Sequence, residues 1–241
     1  MSRKSIPTPS FVIFGLYLFI FAAILIGCRG FGSFKDREAI SEEPLHCEAP
    51  LIKVKVKKVL DGDTLLLENG ERVRYAGINT MELQGKGGQP EPFAVEAYLR
   101  NKELAEGKTF CLKVASRKRD SYGRLLGDLY FANGTSLSEI LVSEGLALVC
   151  YYEGSAEFWE RLLPLQVKAI EARRGLFAFV DKPEAKSVLI GNKQSKRFHD
   201  PACYDTKKIK RKIIFQNLEQ ALREGYCPSR ECIEKIFSSE N

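Results

Sequence analysis

Asn69-Gly70 sits between two short runs of alternating apolar residues, in the stretch DGDTLLLENGERVRYAGINTMEL from Asp61 to Leu83. That dipeptide accepts the positive φ of a two-residue turn, so the stretch is expected to fold as a β-hairpin. Pairing across such a turn sets Glu68 opposite Glu71, Leu67 opposite Arg72, Leu65 opposite Arg74 and Asp63 opposite Ala76. Side chains alternate along a strand, so Asp63, Leu65 and Arg74 are expected on one face, with Asp63 and Arg74 diagonal neighbours. The chain then delivers Asn79, Thr80 and Glu82 just beyond the return strand. One end of the hairpin thus gathers a carboxylate, an amide oxygen, a guanidinium and a second carboxylate.

The flanking pattern places this hairpin in a larger β-structure. Valine alternates with lysine over 53–60, and short apolar runs over 73–78, 109–114 and 125–131 read as further strands. Helices are expected over 92–105, over 136–145 with Ser136 or Ser138 as cap and Gly145 as stop, and over 156–174, punctuated by Pro164 and ended by Gly175. An antiparallel series this short can close into a small barrel. Phe158 and Trp159 lie on an apolar helical stripe and are expected in the core. The glycine-rich loop LQGKGGQPEPF over 83–93 follows Glu82 directly and is assigned no chemistry.

The groups at the hairpin end suit phosphodiester hydrolysis. A hard cation such as Ca²⁺ takes several oxygen ligands, which Asp63, Asn79 and a backbone carbonyl can supply. A cation and an arginine fork neutralise a phosphoryl group as charge builds, and a nearby carboxylate can take a proton from attacking water. The bland alternative is a surface salt bridge between Asp63 and Arg74 with Glu82 solvated.

A second stretch, RDSYGRLLGDLY over 119–130, brings Asp120, Tyr122, Gly123 and Arg124 together before an apolar strand. Asp-Gly-Asp-Thr, a later Arg, Gly-Ile-Asn-Thr-Met-Glu and then Asp-Ser-Tyr-Gly-Arg together resemble the staphylococcal nuclease (thermonuclease) family, over residues 53–179. The resemblance implies an α+β fold: a five-stranded OB-type β-barrel with about three helices. It also implies Ca²⁺-dependent endonuclease activity on DNA and RNA. By that resemblance Asp63, Asn79 and Thr80 are metal ligands, and Arg74, Glu82 and Arg124 are catalytic, with Glu82 as general base. Tyr122 and Tyr151 are substrate-binding residues on the same ground. Three positions depart from the family pattern. Asn79 stands for a usual Asp, Ser121 for a usual Lys, and Met81 for a usual Pro, which implies weaker cation binding, one phosphate contact fewer and a less stiff loop under Glu82.

The ends of the chain carry their own signals. Arg3 and Lys4 precede an apolar run from Phe11 to Gly27 that ends in LIGC. That run resembles a bacterial lipoprotein signal, which implies cleavage of residues 1–27 and acylation of Cys28; an uncleaved membrane anchor is the other reading. Both place the rest outside the cytoplasm and held to the membrane. Residues 28–48 read as a tether, 49–180 as the barrel domain, 181–187 as a linker and 188–241 as a small C-terminal α/β module. The chain carries a formal charge of +6, and from Lys182 onward 13 Lys and Arg stand against 8 Asp and Glu. Such an excess suits polyanions, and KKIKRK over 207–212 offers non-specific phosphate contacts.

The tail also resembles the metal-binding module of the Ada repair protein. The four matching positions read His199, Cys203, Ser229 and Cys232, with Cys227 as a substitute ligand. Zn²⁺ on His199, Cys203, Cys227 and Cys232 is one reading. A disulfide of Cys203 with Cys227 or Cys232 is the other, since the compartment is oxidising. The expected function is a membrane-tethered extracytoplasmic nuclease of low sequence preference, with no protein partner implied. The alternative is a non-catalytic module binding nucleic acid or protein on the same fold.

Overall fold

The computed structural model describes residues 45–237. The expected signal segment 1–27, the expected acylation site Cys28 and most of the expected 28–48 tether lie outside the described residues. Among the described residues no helix is long and apolar enough to cross a membrane.

Five strands close a barrel: β1 (Ile52–Asp61), β2 (Thr64–Leu67), β3 (Arg72–Tyr75), β5 (Thr109–Arg119) and β6 (Leu125–Tyr130), in the order β1-β2-β3-β6-β5. Two two-residue strands, β4 (Ile78–Asn79) and β7 (Leu148–Val149), pair beside it. Irregularities in β1 between Val56 and Lys58, and between Val59 and Asp61, break its alternation. They let Val54, Val56 and Val59 all face inward while Lys57 and Lys58 stay in solvent. They also bend the strand so that it pairs with β5 at one end and β2 at the other.

The β2–β3 hairpin slips by one residue from the expected register. Gly70 (φ +86°) closes a three-residue loop, Glu68 to Gly70, in which the Gly70 N–H donates to Leu67 O at 3.0 Å and the Leu67 N–H to Glu71 O at 2.9 Å. Thr64 is therefore opposite Arg74, and Leu65 opposite Val73. A one-residue slip moves every side chain to the other face. Leu65, Leu67, Val73 and Tyr75 fill the barrel, while Thr64 and Arg74 share the opposite face.

The three expected helices are α1 (Ala94–Ala105), α2 (Leu137–Ser143) and α3 (Ala156–Glu171). A reciprocal pair of hydrogen bonds between Ser136 and Glu139 caps α2. Pro164 does not break α3; it lies on the exposed side, where water can satisfy the carbonyl its ring frees.

The tail forms a four-stranded sheet, β10-β8-β9-β11, from β8 (Leu189–Asn192), β9 (Arg197–His199), β10 (Lys212–Phe215) and β11 (Cys227–Pro228), with α4 (Leu218–Arg223) and α5 (Ile233–Phe237). It packs as a continuation of the barrel domain. One apolar cluster joins Met81, Leu148, Ile170 and Phe177 to Phe198, Phe215, Leu222 and Phe237. Each large side chain buried in it contributes about 1.5–3 kcal/mol relative to exposure. Buried Gln166 accepts from the Val149 N–H and donates to Leu222 O, both at 2.7 Å. Trp159, expected in the core, is instead partly exposed and donates its indole N–H to Gly225 O at 3.0 Å. The 181–187 stretch is not an open linker: 3₁₀ turns cover Gly175–Asp181 and Pro183–Lys186, and Ala185 is buried.

Three disulfides join Cys47 to Cys111, Cys150 to Cys227 and Cys203 to Cys232. The first fixes the end of the expected tether to β5. The other two correct the zinc reading, because Cys203, Cys227 and Cys232 then have no thiolate to offer a metal. His199 stacks on Tyr204, with ring centroids 4.2 Å apart, and its Nδ1 has no hydrogen-bond partner among the described residues.

Candidate active site

A cavity of about 350 Å³ opens at the end of the β2–β3 hairpin. Asp61, Asp63, Arg74, Asn79, Glu82, Asp120, Tyr122, Arg124 and Tyr152 line it, along with Arg117 and Glu153. The hairpin thus supplies Asp63 and Arg74, the segment after β3 supplies Asn79 and Glu82, and the β5–β6 turn supplies Tyr122 and Arg124.

Arg74 is at the centre of the arrangement. Its Nη2 lies 2.9 Å from Asp63 Oδ2 and donates to Asn79 Oδ1 at 3.0 Å. Its Nη1 donates to the carbonyls of Tyr75 at 2.7 Å and Ile78 at 3.0 Å. The register slip leaves Asp63 within reach because it lies just outside the β2 ladder. The expected alternative of a surface salt bridge is half met, since the pair exists but is buried, with side-chain exposures of 10% and 7%. Burial alone would lower the pKa of Arg74; Asp63 first, then Tyr152, Glu82 and Asp61, hold it above the ordinary arginine range. A buried ion pair contributes little net stability, so this one is better accounted for by what it holds in place.

A hydrogen-bond chain ties the two arginines together. Arg124 Nη1 donates to Thr64 Oγ1 at 3.3 Å, and that hydroxyl donates to Asp63 Oδ1 at 3.1 Å. Arg124 Nε donates to Asp120 Oδ2 at 2.7 Å, which fixes the fork. Burial would raise the Asp120 pKa, but hydrogen bonds from Arg124 and from the Tyr122 N–H bring it below the usual carboxylate range. Tyr122 is 83% exposed, with its ring 5.4 Å from the Arg124 guanidinium carbon. It offers an open aromatic face beside the arginine.

Asp61 also lines the cavity, a carboxylate to which the sequence pattern assigned no role. Its carboxyl is pushed up to about 6, chiefly by burial and then by the neighbouring Asp63 charge. The turn at Gly62 is held from inside. Buried Asn101 on α1 donates to Asp61 O at 3.1 Å and Gly62 O at 3.0 Å, and accepts from the Tyr75 hydroxyl at 2.7 Å. Gly62 is required by packing, because a Cβ there would sit 2.6 Å from Thr80 Oγ1.

Asp61 and Asp63 suit a hard cation, which would relieve the cost of holding two carboxylates together. Asn79 and Thr80 fit less directly. Asn79 Oδ1 accepts from Arg74 and, at 3.3 Å, from the Tyr152 hydroxyl, while Asn79 Nδ2 donates to Thr80 O at 2.8 Å. Both oxygens would exchange those bonds for the cation. Among the described residues no three His, Cys, Asp or Glu side chains are placed to hold a metal by themselves. An ion here would therefore keep several waters.

Tyr151 does not line the cavity; its ring meets Trp159 edge-on at 6.2 Å. Tyr152, the next residue, lines it instead, with the guanidinium carbons of Arg74 at 5.8 Å and Arg197 at 4.7 Å from its ring centroid. Adjacent tyrosines at a strand end could not be told apart by sequence. The tail residues at the site were equally invisible: Arg230 Nη1 lies 3.2 Å from Glu82 Oε1.

A closed five-stranded barrel with a buried acid–arginine pair and a second arginine at one end defines an OB-type protein with a charged cleft of mixed sign. The family model described as staphylococcal nuclease homologue matches residues 72–179. Endonuclease YncB of Bacillus subtilis (strain 168) is 36% identical over 113 residues, covering 45% of this chain and 53% of its own. Staphylococcal-like nuclease CAN1 of Arabidopsis thaliana is 34% identical over 110 residues, covering 44% of this chain and 29% of its own. An uncharacterized endonuclease of Escherichia coli O157:H7 is 31% identical over 131 residues, 53% of this chain and 78% of its own. The chain belongs to the staphylococcal nuclease homologue family. It spans about half the length of endonuclease YncB and less of CAN1.

Proposed function

We propose that the protein is a membrane-tethered extracytoplasmic nuclease that hydrolyses phosphodiester bonds of DNA and RNA with Ca²⁺ and little sequence preference. The observation that carries this reading is the convergence of Asp63, Arg74, Arg124 and Glu82 on one cavity. Arg74 and Arg124 provide positive charge where phosphoryl oxygens gain negative charge. Glu82 accepts the proton of the attacking water. Tyr122 offers a stacking face to a base or sugar without reading its edge, which suits low preference. Asp61 and Asp63, with Asn79 and Thr80, would hold the Ca²⁺, which when bound supplies Lewis-acid stabilisation of the phosphoryl charge. The three disulfides support an oxidising compartment. The endonuclease relatives support the reaction class.

One observation favours a non-catalytic binding module. Both terminal nitrogens of Arg74 are engaged inside the protein, and Asn79 and Thr80 O satisfy each other. Incubating the purified protein with plasmid, single-stranded DNA and RNA, in Ca²⁺ and in chelator, separates the readings. Chelator-sensitive loss of all three substrates is expected; binding without cleavage would establish the module.

A further inference from the structure

The tail contributes a side chain to the site. Glu82 is 41% exposed at the side chain, and its carboxylate faces the Arg230 fork, with Arg230 Nη1 at 3.2 Å from Glu82 Oε1. The same fork approaches Glu91, whose side chain is 5% exposed, with Nη2 3.7 Å from Glu91 Oε1. Glu82 and Glu91 form the neck of the 82–91 loop. The Glu82 N–H donates to Glu91 Oε2 at 2.8 Å, and the Glu91 N–H donates to Glu82 O at 3.0 Å. Arg230 therefore spans both sides of the neck that carries Glu82.

Arg230 is itself held firmly. It lies between Cys227, bonded to Cys150, and Cys232, bonded to Cys203. Cys150 is two residues before Tyr152, so the tail is covalently fastened next to the cavity. Ser229, just before Arg230, donates its N–H to Phe198 O at 2.9 Å, and the Cys232 N–H donates to Ser229 O at 3.0 Å. A second tail arginine, Arg197, meets the cavity through the Tyr152 ring. The loop under Glu82 is pinned below by Met81, which is 1% exposed in the shared core. The side chain of Glu82 itself has its orienting contact from the tail.

We propose that Arg230 is a positioning residue for Glu82, which makes the tail a working part of the nuclease site. The proposal rests on the reading of Glu82 as general base. The Arg230–Glu82 pair is exposed and adds little to stability, and the approach to buried Glu91 is long at 3.7 Å, so removing Arg230 should leave the fold and melting temperature nearly unchanged. Its effect lies in holding a proton acceptor within reach of the attacking water, and a loosely held group is a slow one.

The test is steady-state cleavage of a fluorogenic oligonucleotide by the full protein with Ca²⁺, for wild type, Arg230→Ala, Arg230→Gln, Arg230→Lys, Glu82→Gln and the double variant Arg230→Ala/Glu82→Gln. Arg230→Ala and Arg230→Gln should lower kcat about 5- to 20-fold with KM within about twofold, and Arg230→Lys should recover most of the loss. In the Glu82→Gln background, Arg230→Ala should have no further effect. An unchanged kcat, a change confined to KM, or an equal loss in the Glu82→Gln background would overturn the proposal. Wild-type activity in Glu82→Gln alone would instead sink the assignment of the base, and that outcome is read independently of Arg230.

Discussion

At position 79 an amide occupies a place where two hydrogen-bond donors, Arg74 and the Tyr152 hydroxyl, converge on one oxygen. The amide nitrogen meanwhile covers Thr80 O. A carboxylate there could not donate to that carbonyl, so both it and Thr80 O would turn toward a cation. Asn79→Asp is expected to tighten Ca²⁺ about tenfold or more in a calorimetric titration, as ligand charge increases. An unchanged affinity would remove position 79 from the ligand set. Asn101 is a second such residue, and in the sequence it is only one position within the helix expected over 92–105. It satisfies Asp61 O, Gly62 O and the Tyr75 hydroxyl at once. Asn101→Ala leaves buried polar groups unpaired and should cost about 2–3 kcal/mol in denaturant unfolding. It should also lower cleavage, because the turn carrying Asp61 and Asp63 loses its support. A loss of stability below about 0.5 kcal/mol would show that water replaces the amide.

At the scale of elements, strand and helix placement followed from periodicity, whereas the hairpin register did not. Asn69-Gly70 is compatible with a two-residue turn and with a three-residue loop closed by a left-handed glycine, and only the packing of Leu65, Leu67, Val73 and Tyr75 into the barrel selects the second. Asp63 and Arg74 met regardless, because Asp63 lies at the open end of its strand. In β9, His199 gives the tail an acid-sensitive point. Burial lowers its pKa from the ordinary 6.5, with Glu231 acting weakly in the other direction. The folded tail thus favours neutral imidazole. That contribution is present above about pH 6.5 and is lost as pH falls through the lowered value. Stability measured from pH 7.5 to 5 should fall in the wild type and fall less in His199→Phe, which keeps the stack on Tyr204. Parallel curves would place the acid sensitivity elsewhere.

For the whole molecule, the barrel and several residues facing its cavity were legible, because Asp63, Arg74, Glu82 and Arg124 sit in short motifs that resemble the staphylococcal nuclease pattern. What was not legible came from distant segments. Cysteine spacing did not disclose the Cys150–Cys227 bond across 77 residues, and nothing in the linker composition indicated that Phe177 and Phe198 share a core. The tail accordingly read as an appended module. Replacing Cys150 and Cys227 with serine should cost about 2–5 kcal/mol, yet leave the tail docked through its apolar cluster. Limited proteolysis that released the tail as a separate fragment would contradict a shared core.

The most direct test of a site built around Asp63, Arg74, Arg124 and Glu82 is a single-turnover rate at saturating Ca²⁺ for the wild type and Glu82→Gln, with oligonucleotide affinity measured alongside. A general base contributes about 10²–10⁴-fold, so the rate should drop by that order while the dissociation constant moves less than about threefold. Equal rates, or a loss that appears wholly in binding, would contradict the account.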